Sequence, residues 1–535
     1  MSPSRRIGTG AVRLSFTTIS VALGLAACGG SDSSTPPEQA QSFAVGKAEC
    51  GAGDTPETGL QGQVPVSAQV GGFKGFNCNL QQTSATPSVR GEGVFGMFAL
   101  VRDKSGRTCG YTGGAFEDSL GTSVVDLTDP ENPVETAVLN TPGIVNPGEG
   151  LKVHEGRGLL VSAYYNNPPV DKDVNHGFDV YDVGTDCRHP QLLVSTTNLS
   201  FSMAGLKVLP SLSFQATERI YGHEGWFSPD GLTYYVSDIS HGVIHAVDIA
   251  DPTYPKVLDT YQHPFYGLGN YSPSGLYWGT VHGGSVSTDG SRGYFSAVST
   301  DFGPPGSMVP QTGEWYNGFS VVDTSEIHSR KPGGKMKFLN NVVTRDGAGA
   351  QLTIPVTING DKYVINVDEI GGALVNPVGF KSACSAGVTP FSMAQFFYMG
   401  DEANPKLINK VRLEVNDPKY CAQVEPDVAI NSGFLNDVHH CSVDNRDNAT
   451  TLACGYFKNG IRVYDIRDPQ HIKEIAYFVP PAKGAALNWC AAMPILDAKT
   501  RSVYSWCADT GVLALKFREG VWPFPETTTP AGKQL

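Results

Sequence analysis

Residues 223–257 constrain the fold of this 535-residue chain more tightly than any other stretch. His223-Glu224-Gly225-Trp226-Phe227 runs into Ser228-Pro229-Asp230-Gly231, then into Leu232 to Ser237, and then into Gly242 to Pro252, where Val247 and Ile249 bracket Asp248. Pro fixes φ, Asp bonds its own backbone and Gly accepts a positive φ, so Ser-Pro-Asp-Gly is a tight turn. The flanking aromatic and β-branched runs suit pleated, half-buried surfaces. Asp251-Pro252 ends the third run, because Pro cannot donate to a ladder, and Lys256-Val257-Leu258 begins a fourth. The unit is a four-stranded antiparallel sheet, which cannot bury both of its faces alone.

The same ending recurs as Val124-Val125-Asp126 before Asp129-Pro130, Val180-Tyr181-Asp182, Val321-Val322-Asp323, and Val463-Tyr464-Asp465 before Asp468-Pro469, with a weaker copy at Phe397 to Asp401. Repeated sheets of this kind bury their faces against one another and close into a β-propeller. The pattern resembles the LVIVD-repeat family of β-propellers, named for a Val/Ile-rich strand running into Asp and Pro, and the resemblance implies an all-β propeller. Counting the endings predicts blades near 94–140, 151–200, 221–262, 280–343, 352–415 and 435–480, with strands near 488–518 beginning a seventh. No fourth strand follows residue 518. A ring with two exposed edges invites mispairing, so a segment before residue 95 is expected to complete the last blade.

The leader has its own grammar. Arg5, Arg6 and Arg13 precede the apolar run Val21 to Ala27, which is too short for a mature membrane span, and Leu25-Ala26-Ala27-Cys28 resembles a bacterial lipobox. This divides the chain into a signal peptide (1–27), a lipid-anchored Gly/Ser/Thr/Pro tether (28–45), a loop-rich wrap with the ring-closing strand (46–93), the propeller (94–518) and a tail (519–535). Acylated Cys28 implies a membrane partner, and Gly29 after it favours the outer membrane of the cell envelope. The formal net charge of −13 disfavours nucleic acid as a partner. A monomer that takes a protein or small-molecule ligand at its loops or channel mouth is expected.

Besides Cys28 there are ten cysteines, and an even number in an exported chain reads as disulfides. Cys441 with Cys454 and Cys490 with Cys507 bracket turn-rich segments within one hairpin each. Cys384 with Cys421 closes an insertion. Cys50, Cys78, Cys109 and Cys187 allow three connectivities.

Chemistry is carried mainly by histidine. His223 and His282 each stand seven residues before the Asp of an Asp-Gly turn, Asp230 and Asp289, so both begin inner strands; Asp437-Val438-His439-His440 offers a third position. Inner-strand histidines from several blades converge on a propeller axis, and imidazole is the commonest transition-metal ligand. Glu224, Asp368 and Glu369 are the accompanying carboxylates. The competing reading makes these histidines strand-end caps that bond backbone, as Gly-His pairs do in other propeller repeats. His154 lies against a turn and is the weaker candidate. Asp171 and Asp173 open a run similar to a calcium loop, although His176 stands where its turn glycine belongs. With no Gly-x-Ser-x-Gly elbow and no P-loop, two functions remain: a binding or scaffolding lipoprotein, or a metal-dependent enzyme, an oxidoreductase, with a histidine-ligated axial centre.

Overall fold

The computed structural model describes residues 43–65, 72–86, 96–114, 120–165, 175–207, 218–266, 279–298, 317–347, 349–371, 377–430, 434–481 and 489–524. Strands β1 (Phe76–Cys78) and β2 (Leu80–Thr86) precede the first blade, which is β3 (Gly96–Arg102), β4 (Thr108–Gly114), β5 (Thr122–Asp126) and β6 (Val134–Leu139). The second is β7 (Lys152–His154), β8 (Leu159–Ala163), β9 (Phe178–Asp182) and β10 (Gln191–Thr196). The third is β11 (Gly225–Phe227), β12 (Thr233–Asp238), β13 (Val243–Asp248) and β14 (Lys256–Gln262). The fourth is β15 (Thr280–Val286), β16 (Arg292–Val298), β17 (Asn317–Asp323) and β18 (Lys337–Thr344), and the fifth is β19 (Gly349–Ile358), β20 (Asp361–Ile370), β21 (Ala394–Tyr398) and β22 (Lys406–Lys410). The sixth is β23 (Val438–Val443), β24 (Thr451–Tyr456), β25 (Ile461–Asp465) and β26 (Lys473–Val479). β27 (Ile495–Asp497), β28 (Ser502–Cys507) and β29 (Gly511–Phe517) form most of the seventh.

The ring is a seven-bladed propeller, closed as the missing edge demanded: β2 pairs antiparallel with β29, Leu80 opposite Phe517 and Thr86 opposite Val512. One feature was not foreseen. β1 adds a fifth strand to the sixth blade by pairing with β26, and the wrap before it is pinned by Arg462, whose guanidinium donates to Glu474 and to Glu57, each at 2.6 Å.

The recurring Val-Asp ending has a single physical explanation. Asp126, Asp182, Asp248, Asp323 and Asp465 each close the third strand of a blade, and the carboxylate of each accepts the backbone N–H two residues on at 2.8–3.0 Å. The aspartate thereby replaces the ladder with an Asx turn, while the preceding Val, Ile or Tyr side chains are buried between neighbouring blades. Trp226, Tyr235 and Ile244 of the third blade, for example, pack against Phe295 and Val322 of the fourth.

All ten described cysteines pair. Cys441–Cys454 joins directly opposed residues of β23 and β24, and Cys490–Cys507 lies within the seventh blade. Cys384–Cys421 ties helix α2 (Pro377–Ala386) to helix α3 (Cys421–Ile430), both in insertions after the short helix α1 (Ser325–His328). The remaining four pair as Cys50–Cys78 and Cys109–Cys187. Residues 1–42, including Cys28, lie outside the described residues, as do Asp171 and Asp173. Among the described residues no helix is long and apolar enough to cross a membrane.

Candidate metal centre

Each inner strand begins on the face of the ring where the second strand ends. Helix α2 lies in a connection that leaves that face, between β20 and β21, whereas the Ser-Pro-Asp-Gly and Val-Asp turns occupy the other face. The centre is assembled at the starts of the inner strands, on the side of the insertions.

Three consecutive inner strands bulge there. In β15 the register slips between Val281 and Gly284, at His282; in β19 it slips around Ala350 and Leu352, at Gln351; in β23 it slips between Val438 and Cys441, at His439 and His440. A bulge adds a residue to one strand and re-aims side chains, which lets the adjacent His439 and His440 both be fully buried. His223 and Glu224 lie just before β11, Glu149 lies before β7, and Glu369 is the penultimate residue of β20. The bridge between Glu149 and Glu224 sets the second and third inner strands side by side.

These side chains converge. His223 Nε2 lies 3.1 Å from His282 Nε2 and 3.5 Å from Glu149 Oε2. His282 Nε2 is 3.5 Å from Glu369 Oε2, and His439 Nε2 is 2.9 Å from Glu149 Oε1 and 3.4 Å from Glu369 Oε1. Gln351 Nε2 donates to Glu149 Oε2 at 2.9 Å and lies 3.2 Å from His440 Nε2. Lys152 Nζ donates to the Glu149 carbonyl at 2.9 Å and stands 3.7 Å from Glu224 Oε1. His439 Nδ1 is 3.0 Å from the Ala491 carbonyl, which makes it the protonated nitrogen and turns Nε2 toward the two carboxylates.

Burial opposes ionisation of Glu149, yet the positive fields of His439, His282 and His223 outweigh it and hold this carboxyl well below its usual range. Glu224 goes the other way: burial pushes it up to about 8, with Lys152 pulling against the shift and Glu149 adding to it. Burial lowers His439, but Glu149 and Glu369 more than compensate and raise it to about 10. His440 is held well below the ordinary imidazole range by burial and by its neighbour His439. Among the described residues, Glu224 Oε2, Gln351 Oε1 and His282 Nδ1 are buried with no hydrogen-bond partner, while Glu149 Oε1 faces His439 Nε2 at 2.9 Å.

Two neighbouring glycines make the space. A Cβ on Gly283 would sit 1.5 Å from Glu224 Oε2, and one on Gly148 would strike the Tyr165 ring at 2.1 Å. That ring stacks on His223 at 4.5 Å between centroids. Phe457 packs 4.9 Å from the His439 ring, with Phe434 stacked on it and Trp489 edge-on, giving the centre an aromatic wall.

Of the residues singled out from sequence, His223, His282, His439, His440, Glu224 and Glu369 come together. Asp368 does not: it faces the blade interior, where Asn366 and Gln395 donate to it at 2.9 and 2.5 Å. His154 caps the turn at 155–157, with Nε2 3.1 Å from the Pro229 carbonyl. Glu149, Lys152 and Gln351 were missed. The available signal was the Glu-Gly pair of Glu149-Gly150, which repeats Glu224-Gly225.

No family model and no curated protein matches the sequence. In three dimensions the chain is similar to hydrazine synthase of Kuenenia stuttgartiensis, at 12% identity over 81% of this chain and 98% of that one, with a TM-score of 0.45. It is also similar to the periplasmic gluconolactonase of Pseudomonas aeruginosa, at 12% identity over 72% and 86%, with a TM-score of 0.41, and to Sqt1 of Chaetomium thermophilum, at 10% over 80% and 98%, with a TM-score of 0.41. Likeness at these identities and scores transfers neither an activity nor a ligand to this chain.

Proposed function

We propose that the chain is a metal-dependent enzyme, an oxidoreductase of the cell envelope tethered through acylated Cys28, whose transition-metal centre is built on Glu149, His223, His282 and His439. One observation carries this reading: imidazole nitrogens from three blades and the oxygens of Glu149 and Glu369 converge at 2.9–3.5 Å in a buried site. Ligands about 2.1 Å from one ion stand about 3.0 Å apart across an octahedral edge and about 3.4 Å apart across a tetrahedral one. The donors thus already have the spacing of a coordination shell.

Mixed imidazole and carboxylate donors suit manganese, iron or zinc better than soft copper(I), and every described cysteine is held in a disulfide, so no thiolate competes. Five disulfides suit the oxidising compartment that the leader implies. Tyr165, Phe434, Phe457 and Trp489 supply an apolar surface beside the donors and favour a small organic substrate with an aromatic or aliphatic body.

Elemental analysis of protein purified without chelator is the test. Stoichiometric transition metal is expected, and it should vanish in His223→Ala/His282→Ala. Metal-free wild type that acquires none from Mn(II), Fe(II) or Zn(II) would return the chain to the binding-module reading.

A further inference from the structure

We infer that the centre holds two metal ions, bridged by Glu149 and Glu369; this rests on the metal-centre reading. The ligand atoms divide into two sets, Glu149 with His223 and His282, and Glu149 with His439 and His440, each with all members within 4.8 Å of one another and sharing only Glu149. Because the sets share only Glu149, each offers an ion its own pair of imidazoles.

The two carboxylates are oriented accordingly. Glu149 Oε2 faces His223 Nε2 at 3.5 Å and His282 Nδ1 at 3.9 Å, while its other oxygen faces His439 Nε2 at 2.9 Å. Glu369 repeats the arrangement: Oε2 faces His282 Nε2 at 3.5 Å and Oε1 faces His439 Nε2 at 3.4 Å. Each carboxylate therefore offers one oxygen to the His223–His282 side and the other to the His439 side, the disposition of a bridging ligand. The first ion takes His223, His282, Glu149 Oε2 and Glu369 Oε2. The second takes His439, His440 and the two remaining oxygens. Carboxylate-bridged pairs of this kind stand about 3.5–4 Å apart and act on one substrate together.

The two sources of failure separate cleanly by stoichiometry. Full-length protein stripped with chelator and titrated with Mn(II) should bind two ions per chain and give the broadened, exchange-coupled electron paramagnetic resonance spectrum of a bridged pair. His439→Asn should retain the ion on His223 and His282, lose at least tenfold in affinity for the other, and show the six-line spectrum of isolated Mn(II), with circular dichroism confirming an intact fold. Glu369→Gln, which removes a ligand offered to both ions, should weaken both and abolish the coupled spectrum. Saturation of wild type at one ion, uncoupled, would overturn the pair and leave the single-metal centre standing. No binding at all would overturn both.

Discussion

Two buried clusters of histidine and carboxylate draw on the third blade, and they are built on opposite principles. At the end of β12, Asp238 Oδ2 accepts the Tyr221 N–H at 2.9 Å and lies 2.7 Å from His241 Nδ1 and 3.2 Å from His245 Nε2, while Oδ1 accepts the His241 N–H at 2.9 Å. Both oxygens of this carboxylate are spoken for. On the axis, by contrast, Glu224 Oε2 is buried with no hydrogen-bond partner among the described residues, and the two oxygens of Glu149 are shared among His223, His439 and Gln351 of three different blades. A carboxylate filled by groups of one blade pins a loop. One shared by several blades gathers donors around a point. Residue type alone does not separate the two clusters; the number of blades that meet at the carboxylate does.

The comparison is broken most forcefully at Asp238. Removing one partner from a buried charged pair leaves the rest uncompensated and costs about 3–5 kcal/mol, so Asp238→Ala should lower stability by that amount in denaturant melts while the folded protein keeps its full metal content. Glu149→Gln should abolish metal binding, and because it also removes the buried counter-charge of His439 it should lower the metal-free melt as well. If Asp238→Ala lost metal without losing stability, the two clusters would have been assigned the wrong way round.

A smaller effect is expected at Gly283, which follows the ligand His282 in β15 and supplies no donor itself. Its added Cβ would meet Glu224 Oε2 at 1.5 Å and the Gln351 carbonyl at 2.6 Å, so Gly283→Ala must displace the carboxylate that lies behind the donors. Disturbing groups that orient ligands lowers metal affinity about 10–100-fold. Isothermal titration with Mn(II) measures it, and an unchanged affinity would remove Glu224 from the centre.

How much of this was legible beforehand follows from the range of the interactions. Turns are local, so Ser228 to Gly231 and the five Val-Asp endings announced themselves, and with them the blade count and the need for a closing strand. Bulges are tertiary: nothing in the sequence around His282, Gln351 or His439 says that an extra residue is tucked into the strand, and without the bulge only one of His439 and His440 would face inward. Alternation along β20 decides between Asp368 and Glu369, because consecutive strand residues point to opposite sides, and only the three-dimensional register says which side is the axis. Glu149 stayed hidden because it stands ahead of β7, outside the strand pattern, and only the bridge to Glu224 brings it to the axis.

His241 gives the Asp238 cluster a dependence on pH. Burial lowers His241, but the charge of Asp238 outweighs it and the imidazole ends above its ordinary value; Asp238, despite burial, is held far below the usual carboxylate range by His241 and His245. A histidine raised in the folded state contributes stability that is complete below the unfolded value, about 6.5, and is lost as pH rises through the folded one. The depressed carboxylate contributes above its unfolded value, about 3.9, and is lost only in strong acid. His245, buried and lowered, resists protonation and erodes stability as pH falls below about 6.5. His241→Gln keeps a side-chain amide near Asp238 but removes the titration, so the difference in melting temperature between wild type and variant should be largest near pH 6 and shrink steadily toward pH 9. Metal content should be the same in both proteins across that range; a variant whose metal content falls in parallel with its stability would show that the pinned loop and the axial centre are one cooperative unit.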